Sequence, residues 1–163
     1  MKTLLEKTRN INKLLQKSAG NPVDFDEMAK VLRDQINANC YIVGKFGKIL
    51  GYAFIEGFTC EIIDNIVYES ERFPDDYNEE LLRVNETKAN ESQEANCCVF
   101  DKEHHCAFNN KLTTIVPVNG GGQRLGTLLL SRFNVEFTDE DLVLAEYGAT
   151  VVGMEILRSK ADK

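Results

Sequence analysis

Leu112-Thr113-Thr114-Ile115-Val116-Pro117-Val118, then Asn119-Gly120-Gly121-Gly122, then Arg124-Leu125-Gly126-Thr127-Leu128-Leu129-Leu130-Ser131-Arg132-Phe133 is the stretch whose reading decides the fold. Two runs rich in β-branched and apolar residues flank a glycine cluster, the pattern of an antiparallel hairpin. Pro117 has no N–H, so it marks an edge position or a backbone group turned away from the ladder. A second hairpin is predicted upstream. Cys40-Tyr41-Ile42-Val43-Gly44 and Ile49 through Ile55 form its arms, and Lys45-Phe46-Gly47-Lys48 its turn.

Helices surround these strands. Leu4, Leu5, Thr8, Ile11, Leu14 and Leu15 recur at helical spacing, and Gly20 and Pro22 close that helix. Asp24 opens a second one with Glu27 three residues on, an acidic capping box, and Met28, Val31, Leu32 and Ile36 form its buried side. Ile62, Ile63, Ile66 and Val67 predict a short third helix that Phe73-Pro74 ends, since proline disfavours a helical residue before it. Glu79–Val84 reads as a further helical turn, and the polar segment 85–96 as a mobile surface loop. Thr138 caps a final helix with Asp139, Glu140 and Asp141 in its first turn and Arg158 and Lys160 in its last, matching the helix dipole. Its apolar residues form two stripes, one through Leu142, Ala145, Ala149, Val152 and Ile156, the other through Val143, Tyr147, Val151, Met154 and Leu157. Together they exceed the roughly 100° arc a surface helix needs, which leaves one face for something besides its own sheet. Residues 160–163 hold no stop signal, so the helix is expected to lead on to another domain. The element order predicts an α+β protein: an antiparallel sheet with helices on both faces.

Composition narrows the function. The chain has 163 residues, 43% hydrophobic and 28% charged, enough for one domain with a sizeable core. Its net charge is −7, and residues 69–94 hold nine acids against three bases, so this domain has no general attraction for a phosphate backbone. No run of about 18 apolar residues predicts a membrane span. Five cysteines, an odd number with Cys97 and Cys98 adjacent, do not suggest a disulfide framework; a reduced, cytoplasmic protein is expected.

Three stretches carry residues of chemical interest. Gly121–Thr127 has part of a P-loop's spacing, but Thr127 and Leu128 stand where a P-loop needs Lys and Ser or Thr, and strand–turn–strand offers no helix N-terminus to phosphate. A hairpin turn fits better. Cys97, Cys98, His104, His105 and Cys106 fall within ten residues, yet neighbours on a strand point to opposite faces, so the spacing suits a zinc tetrahedron badly. The same residues could supply a Cys–His nucleophile, Cys98 or Cys106 with a histidine, but no orienting group or oxyanion motif accompanies them. Neither a metal nor a catalytic constellation is expected. Tyr41, Ile62, Ile63, Ile66, Phe73, Pro74, Tyr77 and Phe100 remain; most such sets are ordinary core, and the wall of a pocket for a small apolar ligand would use the same residues.

Several stretches carry a family resemblance: Lys7-Thr8-Arg9, Asn39–Tyr52 with Gly47-Lys48-Ile49-Leu50-Gly51-Tyr52, Phe73-Pro74, Leu112–Val118, Gly120–Thr127, and the helix block Asp141–Arg158. The whole chain resembles the N-terminal half of the CodY family, nutritional repressors of low-GC Gram-positive bacteria, and residues 55–111 are the most divergent part. The resemblance implies a GAF-like fold over residues 1–137 and a linker helix over 138–163. A winged helix-turn-helix that binds operator DNA would follow, and a homodimer formed through the first or last helix is expected. It implies branched-chain amino acids as effectors, isoleucine first and then valine or leucine, with GTP as a second effector of the full protein at a site the sequence does not place. The implied ligand-contacting residues are Tyr41, Gly44, Ile62, Ile63, Ile66, Phe73, Pro74, Tyr77, Cys98, Phe100 and Lys102. The family's carboxylate-binding arginine has no counterpart between Arg33 and Arg72, and its Phe-Pro is here Phe100-Asp101. Backbone N–H groups, Arg72 or Lys102 are left to meet the carboxylate. A plain dimerisation domain with a filled core, or a cysteine-dependent enzyme, are the competing expectations.

Overall fold

The structure is a computed structural model describing residues 2–18, 24–58, 60–92 and 110–159. Five antiparallel strands form one sheet: β1 (Asn39–Gly44), β2 (Ile49–Ala53), β3 (Lys88–Ser92), β4 (Lys111–Gly120) and β5 (Gln123–Phe133), in the order β2-β1-β5-β4-β3. Helices α1 (Leu4–Ser18), α2 (Phe25–Ile36) and α5 (Asp139–Ser159) cover one face. The other is covered by α3 (Glu61–Asp64), the π-helical turn Asn65–Ser70 that continues it, and α4 (Asp75–Leu82).

Strand alternation divides the interior into two cores. Cys40, Ile42, Leu128 and Leu130 point to the first, with Ile11, Leu32, Ile36, Leu144, Val152 and Ile156. Tyr41, Val43 and Leu129 point to the second. Every residue of β1 is buried, as its unbroken apolar run requires of a strand covered on both faces. The sheet also sits close to its neighbours. A Cβ on Gly126 would lie 2.2 Å from the Val43 carbonyl oxygen, and one on Gly51 would lie 2.4 Å from that of Phe25.

Both long hairpins form as the glycines predict. The β4–β5 turn is tighter than expected, because Asn119 pairs with Arg124 and Gly120 with Gln123, leaving Gly121 and Gly122 at positive φ as a two-residue turn. Pro117 lies past the last β3 pairing, Lys88 with Ile115, so β4 has an open side there. At α2 the Asp24 carboxylate accepts the Glu27 N–H at 3.0 Å, while the Glu27 carboxylate is held by Lys17 Nζ. The segment predicted as a polar loop is corrected: residues 88–92 form β3, an edge strand paired with β4. The helical turn predicted over Glu79–Val84 begins earlier, at Asp75, directly after Pro74. Among the described residues no helix is long and apolar enough to cross a membrane.

Candidate ligand pocket

The second core is the candidate site. After β2 the chain passes through α3 and its wide π-turn, which buries Ile66 and Val67 and ends at Glu71 with φ +57°. A bridge between Lys48 and Arg72 and the bond from Phe73 N–H to the Gly47 carbonyl, 2.9 Å, return the chain to the β1–β2 turn. Phe73 is thereby buried against Tyr41, ring centroids 5.5 Å apart and edge-on. Phe54 meets the Tyr41 ring at the same separation, and Tyr77 on α4 meets Phe73 at 5.7 Å. Such aromatic pairs are each worth about 0.5–1.5 kcal/mol beyond their burial.

Between α4 and the β3–β4 edge this face opens into a hollow of about 220 Å³. Tyr77, Leu81, Val84 and Ile115 give it an apolar wall, and Lys88, Glu91, Ser92 and Thr113 a polar rim. That is below the roughly 300–1,000 Å³ of drug-sized sites and suits a molecule of amino-acid size. Lys88 and Glu91 pair with each other at 2.9 Å on the rim. On the opposite face a larger cleft of about 510 Å³ runs between β4 and α5, bordered by Asn85, Glu86, Thr87, Asn119, Glu146 and Thr150.

The structure gathers Tyr41, Ile63, Ile66, Phe73 and Tyr77 into one cluster with Ile62 at its margin. Gly44 ends β1, its N–H donating to Lys48, and Pro74 forms the start of α4. Of these residues only Tyr77 borders the 220 Å³ hollow. Cys98, Phe100 and Lys102 lie outside the described residues, as do Cys97, His104, His105 and Cys106. Arg72 is committed elsewhere, donating to the Phe46 carbonyl at 2.5 Å with Asp75 3.7 Å away. The sequence reading missed Leu81, Val84, Thr113 and Ile115. Tyr77, Leu81 and Val84 recur at helical spacing, the one signal that could have found them. On the first-core side of β1, burial pushes the Cys40 thiol well above its usual range and keeps it protonated.

The sequence profile described as the CodY GAF-like domain matches residues 3–163. The chain belongs to the CodY family. It is 55% identical over all 163 residues to the global transcriptional regulator CodY of Clostridium botulinum strain Okra, and 52% identical to that of Clostridium tetani. It spans 63% of the length of each of these CodY proteins. Among solved structures it is similar to the cofactor-binding GAF domain of the nutrient sensor CodY from Clostridium difficile. That match has 41% identity, covers 96% of this chain and 99% of that one, and has a TM-score of 0.66. A GAF domain/HD domain protein from Geobacter sulfurreducens, 10% identical with a TM-score of 0.59, shares the fold; it covers 98% of this chain and 99% of its own. The α+β, GAF-like architecture expected from the sequence is thus the one found. The CodY relatives are named as regulators, not enzymes.

Proposed function

We propose that this chain is the effector-sensing domain of a DNA-binding transcriptional regulator, and that its effector is a branched-chain amino acid, isoleucine foremost. The observation that carries this reading is the hollow beside Tyr77: amino-acid-sized, apolar on one wall and polar on its rim, on the face where Tyr41 and Phe73 meet. Magnitudes favour a metabolite sensor. Burying the four side-chain carbons of isoleucine stabilises binding by about 3 kcal/mol at roughly 0.8 kcal/mol per methylene. The charged ends must be paired or their desolvation erases that gain. One methylene separates isoleucine from valine, which limits discrimination to about 10- to 200-fold.

The regulator reading extends to partners. Operator DNA is assigned to another part of the full-length regulator, because a domain with a net charge of −7 is a poor DNA ligand. A homodimer through the first or the last helix fits the exposed Leu5 of α1 and the exposed Val143, Met154 and Leu157 of α5. GTP is the second effector in this reading, without a site. The glycine turn is a hairpin, and Glu86 and Glu146 give the 510 Å³ cleft the wrong sign for a triphosphate. A thermal-shift screen of the twenty amino acids tests the effector, since only a ligand of the folded state raises the midpoint. Isoleucine is expected to raise it most, valine and leucine less, and aspartate not at all. No response to isoleucine, or an equal one to aspartate, would overturn the reading.

A further inference from the structure

Two walls of the 220 Å³ hollow, α4 and β3, are each fastened to a different end of α5. At the first, a helix C-terminus offers carbonyl oxygens that a cation satisfies well. Arg124 of β5 meets them there, donating to the Leu81 carbonyl at 3.1 Å and the Val84 carbonyl at 2.7 Å. Leu81 and Val84 both border the hollow. The guanidinium's contacts to the Gly126 carbonyl and the Thr127 hydroxyl stay within β5. Across the β4–β5 ladder Arg124 stands opposite Asn119, beside the turn of the hairpin. That turn is seated on the last turns of α5. A Cβ on Gly153 would lie 2.5 Å from the Asn119 carbonyl oxygen, and one on Gly120 would lie 2.8 Å from Leu157 Cδ1. Arg124 therefore joins the end of α4 to the part of the hairpin that rests on the end of α5.

The second wall is tied by Asn90. It sits at φ +56° in the register shift between Lys88 and Glu91, two residues that border the hollow. Its Nδ2 donates to the Phe137 carbonyl at 3.1 Å, and its Oδ1 accepts the Phe137 N–H at 2.7 Å. The amide thus grips both backbone groups of a residue two positions before α5 begins. Between the two ties the chain stands clear of the helix. Asn85, Glu86 and Thr87, which connect α4 to β3, face Glu146 and Thr150 across the 510 Å³ cleft. The walls of the hollow reach α5 at its ends and not at its middle.

We infer that Arg124 and Asn90 couple the hollow to α5, so that a ligand touching both α4 and β3 changes how firmly the two ends of α5 are held. The inference rests on the effector reading above. Such a ligand favours the wall separation that fits it, and a close-packed interior passes that preference on through its ties. Neither residue borders the hollow, so both are positioning residues. The experiment is hydrogen exchange, read by mass spectrometry, on the chain with and without isoleucine. Exchange is expected to slow in α4 and β3, and to slow at 137–142 and 150–159 about fivefold more than in α1. Helix α1 is the reference, because a bound ligand slows exchange through global unfolding everywhere alike. Leu157→Ala, at a half-exposed position, should remove the extra slowing at 150–159 alone. Asn90→Gly, which suits the positive φ, should remove it at 137–142 alone. Arg124→Met should act as Leu157→Ala does; if it fails to fold, Leu157→Ala carries the test. In every variant the slowing in α4 and β3 should remain. Slowing there with no excess over α1 at either end of α5 overturns the coupling and leaves the effector reading standing. Undiminished excess in the variants overturns the two ties. No slowing in α4 or β3 of the wild type overturns both the coupling and the effector reading.

Discussion

Arg132 shows how far one side chain can hold this fold together. Its guanidinium donates to the carbonyls of Ile36, Val135 and Glu136 at 2.7, 3.0 and 2.5 Å, meets Asp141 Oδ2 at 2.7 Å, and lies 4.2 Å from the Phe137 ring centroid. It thus joins the end of α2, the exit of β5 and the start of α5. Asp141 in turn accepts the Thr138 N–H at 2.8 Å, completing the cap of α5. Removing one member of a buried pair leaves the other's charge uncompensated. Arg132→Ala is therefore expected to lower stability by about 3–5 kcal/mol, read from the urea midpoint. A drop below about 1 kcal/mol would contradict the account. Tyr52 offers a pH handle: burial first, and then Tyr68 beside it, push its phenol up to about 12. The folded state keeps that proton longer than the unfolded chain, whose tyrosines titrate near 10. Its contribution to stability is full below about pH 10 and is lost as pH rises toward about 12. An ultraviolet phenolate titration should lose a late-ionising step when Tyr52→Phe is compared with the wild type.

Among the elements, legibility tracked local chemistry. β1 and the β4–β5 hairpin were readable because apolar runs bounded by glycine have few other interpretations. β3, Lys-Ala-Asn-Glu-Ser, has no apolar alternation; it is a strand because β4 offers it an edge, a tertiary cause that no local window contains. The π-turn at Asn65–Ser70 was hidden for the same reason, since its residues read as ordinary helix. In the site, Tyr41, Phe73 and Tyr77 were found by their aromaticity, whereas Thr113 and Ile115 join its wall only because β4 pairs with β3. Close backbone approach is likewise invisible before folding. At Gly126 an added methyl would sit 2.2 Å from the Val43 carbonyl, so Gly126→Ala must push β5 away from β1. A loss of roughly 2 kcal/mol or more is expected in chemical denaturation. Gly122→Ala has open space but a φ of +75°, and should cost only about 1 kcal/mol. Equal effects of the two would refute the steric argument.

For the whole molecule, the sheet separates two tasks. The face bearing α3 and α4 holds the candidate ligand site, and the face bearing α1, α2 and α5 presents the apolar residues left over. Val143, Met154 and Leu157 are about half exposed along α5, while Ala149, Val152 and Ile156 are buried against the sheet. If α5 is the dimer seam, Met154→Lys should shift sedimentation from dimer to monomer without moving the monomer's own unfolding midpoint. A wild-type chain that sediments as a monomer would sink the seam.

The order of strands has a further consequence, set by the direction of synthesis. β1 lies between β2 and β5, so one of its two partners comes from the far end of the chain, with Asn39 waiting for Ser131. A ribosome adding about 5–20 residues per second needs on the order of 5–20 s to cover that gap. Throughout it, Cys-Tyr-Ile-Val presents one bare hydrogen-bonding edge with greasy side chains above and below. Nascent copies made close together on a polysome are thus at their stickiest before β5 emerges, and trigger-factor-like holdases should matter more to the yield of this domain than its final stability does.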